Sequence, residues 1–79
     1  MGNICGLNEM DIGERAVVET LRVHGSMRRR LLDIGLVQGT SVECIGRSPL
    51  GDPAAYLIRG AVIAIRESDS REVLVRRYA

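Results

Sequence analysis

Glycine or proline stands at each change of direction between residues 28 and 60, where one element follows another almost without spacers. A short amphipathic stretch ends at Gly35, a β-branched run follows, and the turn at residues 48–53 reads Ser-Pro-Leu-Gly-Asp-Pro. Glycine reaches positive φ at little cost, and proline holds φ at about −65°, so both residue types favour tight corners. The segment predicts short elements that fold back on one another.

Five β-rich runs follow this punctuation, at residues 15–23, 40–47, 54–59, 61–66 and 72–76. Val17 and Val18 interrupt the alternation of the first run, which predicts a bulge there. Met27, Leu31 and Ile34 recur at spacings of four and three, which predicts a short helix between the first two strands. Five short strands with tight turns predict an all-β fold, a small closed five-stranded barrel with one helix.

Seven residues are predicted to shape the turns. They are Gly35, Gly39, Pro49, Gly51, Asp52, Pro53 and Gly60. Gly35 occupies the position where a helix ends in a left-handed residue, and Leu36 is placed to pack back on the last helical turn. Asp52 is expected to cap its own turn.

Seventy-nine residues predict one domain over residues 1–79, since so short a chain supports one modest core. Residues 1–6 are expected to be a loose lead-in, and Leu7, Met10 and Ile12 are the apolar anchors after it. The longest uncharged apolar run, residues 61–65, is far shorter than a membrane span. The N-terminal residues do not resemble a secretory signal either, so a cytoplasmic location is expected.

The charge balance argues against nucleic acid and anionic membranes as partners. The formal net charge is +1, and all eleven basic residues are arginine. Tyr56 and Tyr78 are the only aromatic residues, whereas single-stranded nucleic acids and proline-rich peptides are bound on aromatic side chains. Arginine pairs bidentately with carboxylates, which favours specific contacts over diffuse attraction; the alternative is that the absence of lysine reflects a compositional bias without function.

Cys5, His24 and Cys44 are the whole inventory of soft metal ligands, and they lack the short spacings of a structural zinc site. They are weak candidates, and neither a tight metal site nor a bound cofactor is predicted. Cys44 alternates with Val42 along a strand, which favours a buried thiol. With one histidine and no partnered nucleophile, the sequence gives no basis for an enzyme.

Arg28, Arg29 and Arg30 stand at the start of the predicted helix, where cations are mildly unfavourable for the helix dipole. We hypothesise that a use compensates for this cost: the three arginines pair with acidic groups of a partner, and Asp33 belongs to the same partner-binding set. The alternative is a solvated helix face with no function, as most charge runs are.

Several segments of the sequence, in this order and at this spacing, resemble the two signatures of the FeoA family. The run at residues 30–36, followed by Gly39 and Thr40, is similar to the family's helix and turn, and residues 48–53, 58–60 and 63–66 are similar to its second signature. The match covers about residues 7–76. The resemblance implies no set of catalytic residues. The family residues found in this sequence are those that shape turns, namely Gly35, Gly39, Gly51, Pro53 and Gly60.

The resemblance implies an SH3-like barrel and a role in bacterial ferrous-iron uptake. It implies a cytosolic accessory protein that docks on the cytosolic part of FeoB, a membrane transporter, with no insertion of its own into the membrane. The alternative is a small carrier or sensor of iron or zinc, related to the SH3-like domain of iron-dependent repressors. The oligomeric state stays open.

Overall fold

The computed structural model describes residues 3–78, which form six strands, two α-helices and one 3-10 helix. The strands are β1 (Ile4–Gly6), β2 (Arg15–Leu21), β3 (Ser41–Arg47), β4 (Ala54–Ile58), β5 (Ala61–Ile65) and β6 (Val73–Arg77). The helices are α1 (Gly25–Asp33) between β2 and β3, α2 (Glu67–Ser70) between β5 and β6, and the 3-10 helix Leu7–Glu9. All neighbouring strands pair antiparallel in one sheet of order β1-β6-β2-β3-β4-β5.

The predicted five-stranded closed barrel is wrong in strand number and in closure. Over residues 3–78 the sheet has six strands, and β1 and β5 are its two edges. The extra strand β1 also places α1 between the second and third strands, where the prediction had it between the first two. The mostly-β class with one sheet and few helices is confirmed.

Residues 4–6 were expected to be loose, and this is wrong because β1 pairs along β6. Ile4 lies opposite Arg76, and Gly6 lies opposite Leu74. Residues 1 and 2 of the predicted lead-in lie outside the described residues. Leu7 and Met10 are fully buried, as expected of anchors, whereas Ile12 is 62% exposed and anchors nothing.

The core fills the concave side of the sheet, and Tyr56 is its largest fully buried side chain. β4 alternates strictly, with Ala54, Tyr56 and Ile58 buried and the residues between them half-buried. The hydroxyl of Tyr56 donates a hydrogen bond to the Leu7 carbonyl at 3.3 Å, which ties the N-terminal segment to the centre of the sheet. Cys44, opposite Tyr56 on β3, is buried as predicted.

The predicted bulge in the first long strand is confirmed. The register of β2 against β6 shifts between Val18 and Thr20, which leaves Glu19 as the extra residue. A second shift lies between Cys44 and Gly46 of β3, against β4. Bulges increase the local twist of a strand, and these two curl the sheet around its core.

We expect the stability of the protein to fall as the pH rises above about 10. Burial raises the pKa of the Tyr56 hydroxyl above its ordinary value of 10.0. The folded state therefore binds the Tyr56 proton more tightly than the unfolded state does. The contribution of the protonated hydroxyl to the free energy of unfolding is complete below the unfolded pKa and is lost as the pH rises toward the folded pKa. Urea unfolding at about pH 8 and about pH 11 measures the fall, which Tyr56→Phe should reduce. If the wild type and Tyr56→Phe lost the same free energy of unfolding between these two pH values, Tyr56 would not be the cause of the fall.

Candidate docking surface

α1 carries the predicted partner-binding residues, but the structure changes the reason for choosing them. The helix begins at Gly25, so Arg28 and Arg29 lie beyond its first residues and Arg30 lies in its last turn. Cations are favourable near a helix C-terminus. The predicted unfavourable placement at the helix start is therefore wrong and gives no support to a binding role.

Arg28 differs from its two neighbours because it binds its own chain. Its Nη1 donates to the Leu21 carbonyl at 2.9 Å and lies 3.5 Å from the Val23 carbonyl. These contacts tie α1 to carbonyls at the last residue of β2 and just beyond it. Arg28 acts in positioning the helix.

Arg29 and Arg30 are exposed and have no carboxylate partner among residues 3–78, where the ion pairs are Arg76 with Glu19 and Arg77 with Glu14. Asp33, at the end of the helix, is exposed and is in neither pair. Two guanidinium groups therefore face solvent from one short helix and are available to an acidic partner.

The predicted helix stop at Gly35 is confirmed, with φ of +93°. The Leu36 amide donates to the Leu31 carbonyl at 2.9 Å, and the Gly35 amide donates to the Leu32 carbonyl at 3.0 Å. This pair of bonds is the Schellman motif, and the buried side chains of Leu31 and Leu36 accompany it.

The carbonyl of Gly35 joins the helix end to two other elements. It accepts hydrogen bonds from Thr40 Oγ1 at 2.8 Å and from Arg59 Nε at 3.2 Å. Arg59 and Gly60 form the two-residue turn between β4 and β5, with φ of +50° and +81°. The β4–β5 hairpin is thereby held against the end of α1.

A groove of about 290 Å³ runs between α1 and β5, and we call it the α1–β5 groove. Met27, Arg30 and Leu31 form the helix side, and Pro53, residues 63–66 and Asp69 form the other. Met27, Leu31 and Ile63 supply aliphatic surface to its lining, and Arg30, Arg66 and Asp69 supply charges. Protein-binding sites combine apolar and charged groups in this way.

The predicted turn residues at 48–53 position one end of this groove. The Gly51 amide donates to the Ser48 carbonyl at 2.8 Å, as expected for the turn that Pro49 opens. The prediction that Asp52 caps its own turn is wrong. Its Oδ1 accepts a hydrogen bond from the backbone amide of Glu67, at the start of α2, at 2.9 Å. The peptide bond between Asp52 and Pro53 is cis. Gly39 has positive φ in its turn, as predicted.

The three soft metal ligands lie on different elements. Cys5 is half-buried on β1, Cys44 is buried on β3, and His24 is exposed before α1. Among residues 3–78, no three His, Cys, Asp or Glu side chains form a group that could hold a metal ion. Burial raises the pKa of the Cys5 thiol, with Arg77 opposing the effect, so the thiol form is favoured.

β5 and α2 contribute residues to the α1–β5 groove, and neither was included in the candidate site predicted from the sequence. The predictions placed binding on α1 alone, although residues 61–65 form an uncharged strand between Arg59 and Arg66. That pattern was visible, but nothing in it showed that β5 would be an edge strand facing α1.

Comparison with known proteins decides the family. The model of the FeoA domain matches residues 5–77, nearly the whole chain. The chain belongs to the FeoA family. The resemblance found in the sequence is confirmed, and it extends slightly beyond the predicted residues 7–76.

A curated relative of this FeoA-family chain is the Fe(2+) transport protein A/Fe(2+) transporter FeoB fusion protein of Porphyromonas gingivalis. The two are 30% identical over 69 residues, which cover 87% of this chain and 8% of the fusion protein. The chain thus spans less than a tenth of the length of that relative.

Solved structures of FeoA proteins share the fold. The Chlorobium tepidum FeoA protein has a TM-score of 0.89 at 32% identity, over 94% of this chain and 70% of that one. The Stenotrophomonas maltophilia FeoA, solved in complex with zinc and described as an SH3 domain protein, has a TM-score of 0.78 at 30% identity, over 89% and 87%. The predicted SH3-like architecture is confirmed.

A manganese-dependent transcriptional repressor shares the architecture at only 14% identity, with a TM-score of 0.85 over 99% of this chain and 44% of that one. At that identity the likeness is one of fold alone. No helix within residues 3–78 has the length and apolar character required to cross a membrane.

Proposed function

We propose that this chain is an accessory protein of ferrous-iron uptake that docks on the cytosolic part of a FeoB-type transporter, without catalysing a reaction itself. The observation that supports this proposal is the Porphyromonas gingivalis protein, which is named as a fusion of Fe(2+) transport protein A with the transporter FeoB. The segment of that protein that is similar to this chain covers 87% of it.

Fusion has a physical meaning for two proteins that work together. A covalent link gives the second component a high effective concentration, on the order of millimolar for short flexible linkers. The link itself makes no contact, so the two components still have to meet through their own surfaces. We therefore expect this chain to carry a binding surface for the transporter.

α1 and the α1–β5 groove are the surface we assign to this contact. Arg29 and Arg30 have no carboxylate partner within residues 3–78, and Met27 and Ile63 supply apolar area beside them. Charges on a rim chiefly steer association and select partners, while the apolar centre contributes affinity. Asp33, beside them at the end of α1, orients an incoming basic group.

Reversing both free helix charges should weaken binding to the transporter. We expect Arg29→Glu with Arg30→Glu to lower affinity for the purified cytosolic domain of a FeoB-type transporter by about tenfold or more, because attraction becomes repulsion. Arg28 is left unchanged since its hydrogen bonds position the helix. Isothermal titration at low and at physiological salt measures the loss, which salt should reduce.

The matched control is Arg22→Glu with Arg71→Glu, which makes the same change in net charge. Both arginines are exposed, and neither is in an ion pair within the described part of the chain. This control should bind as the wild type does. Equal weakening by the two double variants would show an effect of net charge alone and would remove α1 from the interface.

A carrier of iron or zinc is the second candidate, because the Stenotrophomonas maltophilia FeoA was solved in complex with zinc. Here Cys5, His24 and Cys44 are the available soft ligands. Titration with Zn(II) under reducing conditions separates the candidates: one-to-one micromolar binding, lost in Cys5→Ser, together with no affinity for the transporter domain, would favour the carrier.

A further inference from the structure

We infer that β5 is the strand on which the partner pairs: an extended acidic segment of the transporter's cytosolic region adds to the free edge of β5 and places an apolar side chain in the α1–β5 groove. This inference rests on the proposed function and names the mode of docking and the chemistry of the docked segment.

The backbone of β5 has free hydrogen-bonding groups at two residues. Arg59 and Gly60 both have positive φ, which is the type I′ turn of a two-residue hairpin. Ile58 and Ala61 form the hydrogen-bonded pair that flanks such a turn, and hydrogen-bonded pairs then alternate along the ladder. Val62 and Ala64 therefore turn their N–H and C=O groups away from β4.

No strand within residues 3–78 pairs with this edge of β5. β5 has one strand neighbour, β4, and no hydrogen bond outside the ladder involves the backbone of Val62 or Ala64. The side chain of Val62 is 61% exposed. The N–H and C=O groups of these two residues and the apolar side chain of Val62 therefore face solvent together.

The edge at β5 also lacks the features that usually protect an edge strand. Its five residues include no charge and no proline, and its register against β4 is continuous. The opposite edge, β1, is three residues long and ends in Gly6, and short edge strands are themselves a protection. An unprotected edge beside a groove is the arrangement that proteins use to bind an extended segment as an added strand.

The charges at the edge favour an acidic occupant. Arg30 and Arg66 line the groove with no carboxylate partner within residues 3–78, against the single carboxylate of Asp69. A second copy of this chain carries the same excess of arginine beside its own β5 edge, so it complements the charges of this groove less well than an acidic segment does.

A proline at an outward-facing position tests the pairing directly. Val62→Pro removes an N–H that the β4 ladder does not use, so the hairpin should persist, as proline is tolerated on the free side of an edge strand. We expect its affinity for the purified cytosolic domain of a FeoB-type transporter to fall about tenfold or more, from the lost hydrogen bond and the clash of the ring with the added strand. Val62→Thr keeps the N–H and the β-branched shape at an exposed position, where substitutions usually have small effects, and it should bind within about twofold of wild type.

Hydrogen exchange of the wild-type protein tests the same point without a substitution. Addition of the transporter domain should slow exchange of the Val62 and Ala64 amides by about tenfold or more, since they become hydrogen-bonded. The Ile63 amide, already bonded to β4, is the internal control and should change less. This measurement decides the matter even where Val62→Pro does not fold.

The outcomes separate this inference from the proposed function. Undiminished binding by folded Val62→Pro, with no added protection at Val62 and Ala64, would overturn pairing at β5 and leave docking intact. Wild-type protein that does not bind the transporter domain would overturn both. A wild-type dimer that Val62→Pro converts to a monomer in sedimentation would assign the edge to a second copy and overturn the acidic-segment inference.

Discussion

Gly35→Val is expected to lower the free energy of unfolding by about 2–3 kcal/mol, because the valine must adopt a left-handed backbone conformation. Gly35 has φ of +93°, a region that β-branched residues rarely enter. For a domain of this size the loss corresponds to a fall in melting temperature of about 10–20 °C. Thermal unfolding followed by circular dichroism measures it.

The effect is large because Gly35 serves three elements at once. Its amide completes the end of α1, and its carbonyl receives Thr40 and the Arg59 side chain from the β4–β5 turn. A Cβ at Gly35 would also meet the Arg59 side chain. A shift of the backbone here therefore moves the helix end and the hairpin relative to each other.

Two comparisons separate backbone strain from crowding. Gly35→Ala should cost more than Gly46→Ala, since Gly46 lies outside the positive-φ region and a Cβ there meets nothing within 4 Å. Gly35→Asn should cost less than Gly35→Val, because asparagine tolerates the left-handed region. If Arg59→Ala restored the stability of Gly35→Val, crowding against Arg59 would be the cause and the strain would be small.

The sequence predicted best the elements whose chemistry is local. Gly35, Gly39 and Gly51 each have positive φ where a turn or helix stop was expected, because only glycine adopts that region without strain. The bulge just after Val18 was also foreseeable, since the adjacent apolar residues Val17 and Val18 break the alternation of the strand.

The failures concern partners distant in the chain. β1 is three residues long, too short for any periodicity, and its pairing depends on β6 some seventy residues away. Asp52 was assigned to its own turn, yet it accepts from Glu67 of α2 across the fold. Closure of the sheet likewise depends on whether β1 and β5 meet, which no local pattern encodes.

The candidate site could be predicted only on its helix side. The arginine run was visible, but the pairing of Arg28 with Leu21 and the exposure of Arg29 and Arg30 required the fold. The hydrogen bond from Arg59 to the Gly35 carbonyl joins the β4–β5 hairpin to the end of α1. The sequence places these two residues 24 positions apart and does not indicate that they touch.

Tyr56→Ala is expected to destabilise the protein by about 3–5 kcal/mol, the usual cost of removing a large buried ring. Tyr56 has no exposed surface and is the largest fully buried side chain of the described residues. It pairs with Cys44 on β3 and with Ile63 on β5, so the cavity would lie beneath the strand that carries the free edge. Since small domains are stable by roughly 5–15 kcal/mol in total, a large part of the folding free energy would be lost.

Tyr78→Ala supplies the matched control, because the only other tyrosine is 59% exposed. It should change stability by no more than about 0.5 kcal/mol. Tyr56→Phe keeps the ring and removes the hydrogen bond to Leu7, at a cost of about 1 kcal/mol, which separates packing from hydrogen bonding. Urea unfolding of the four proteins measures these differences. Equal midpoints for Tyr56→Ala and Tyr78→Ala would contradict the placement of Tyr56 at the centre of the core, and with it the support of β5 from beneath.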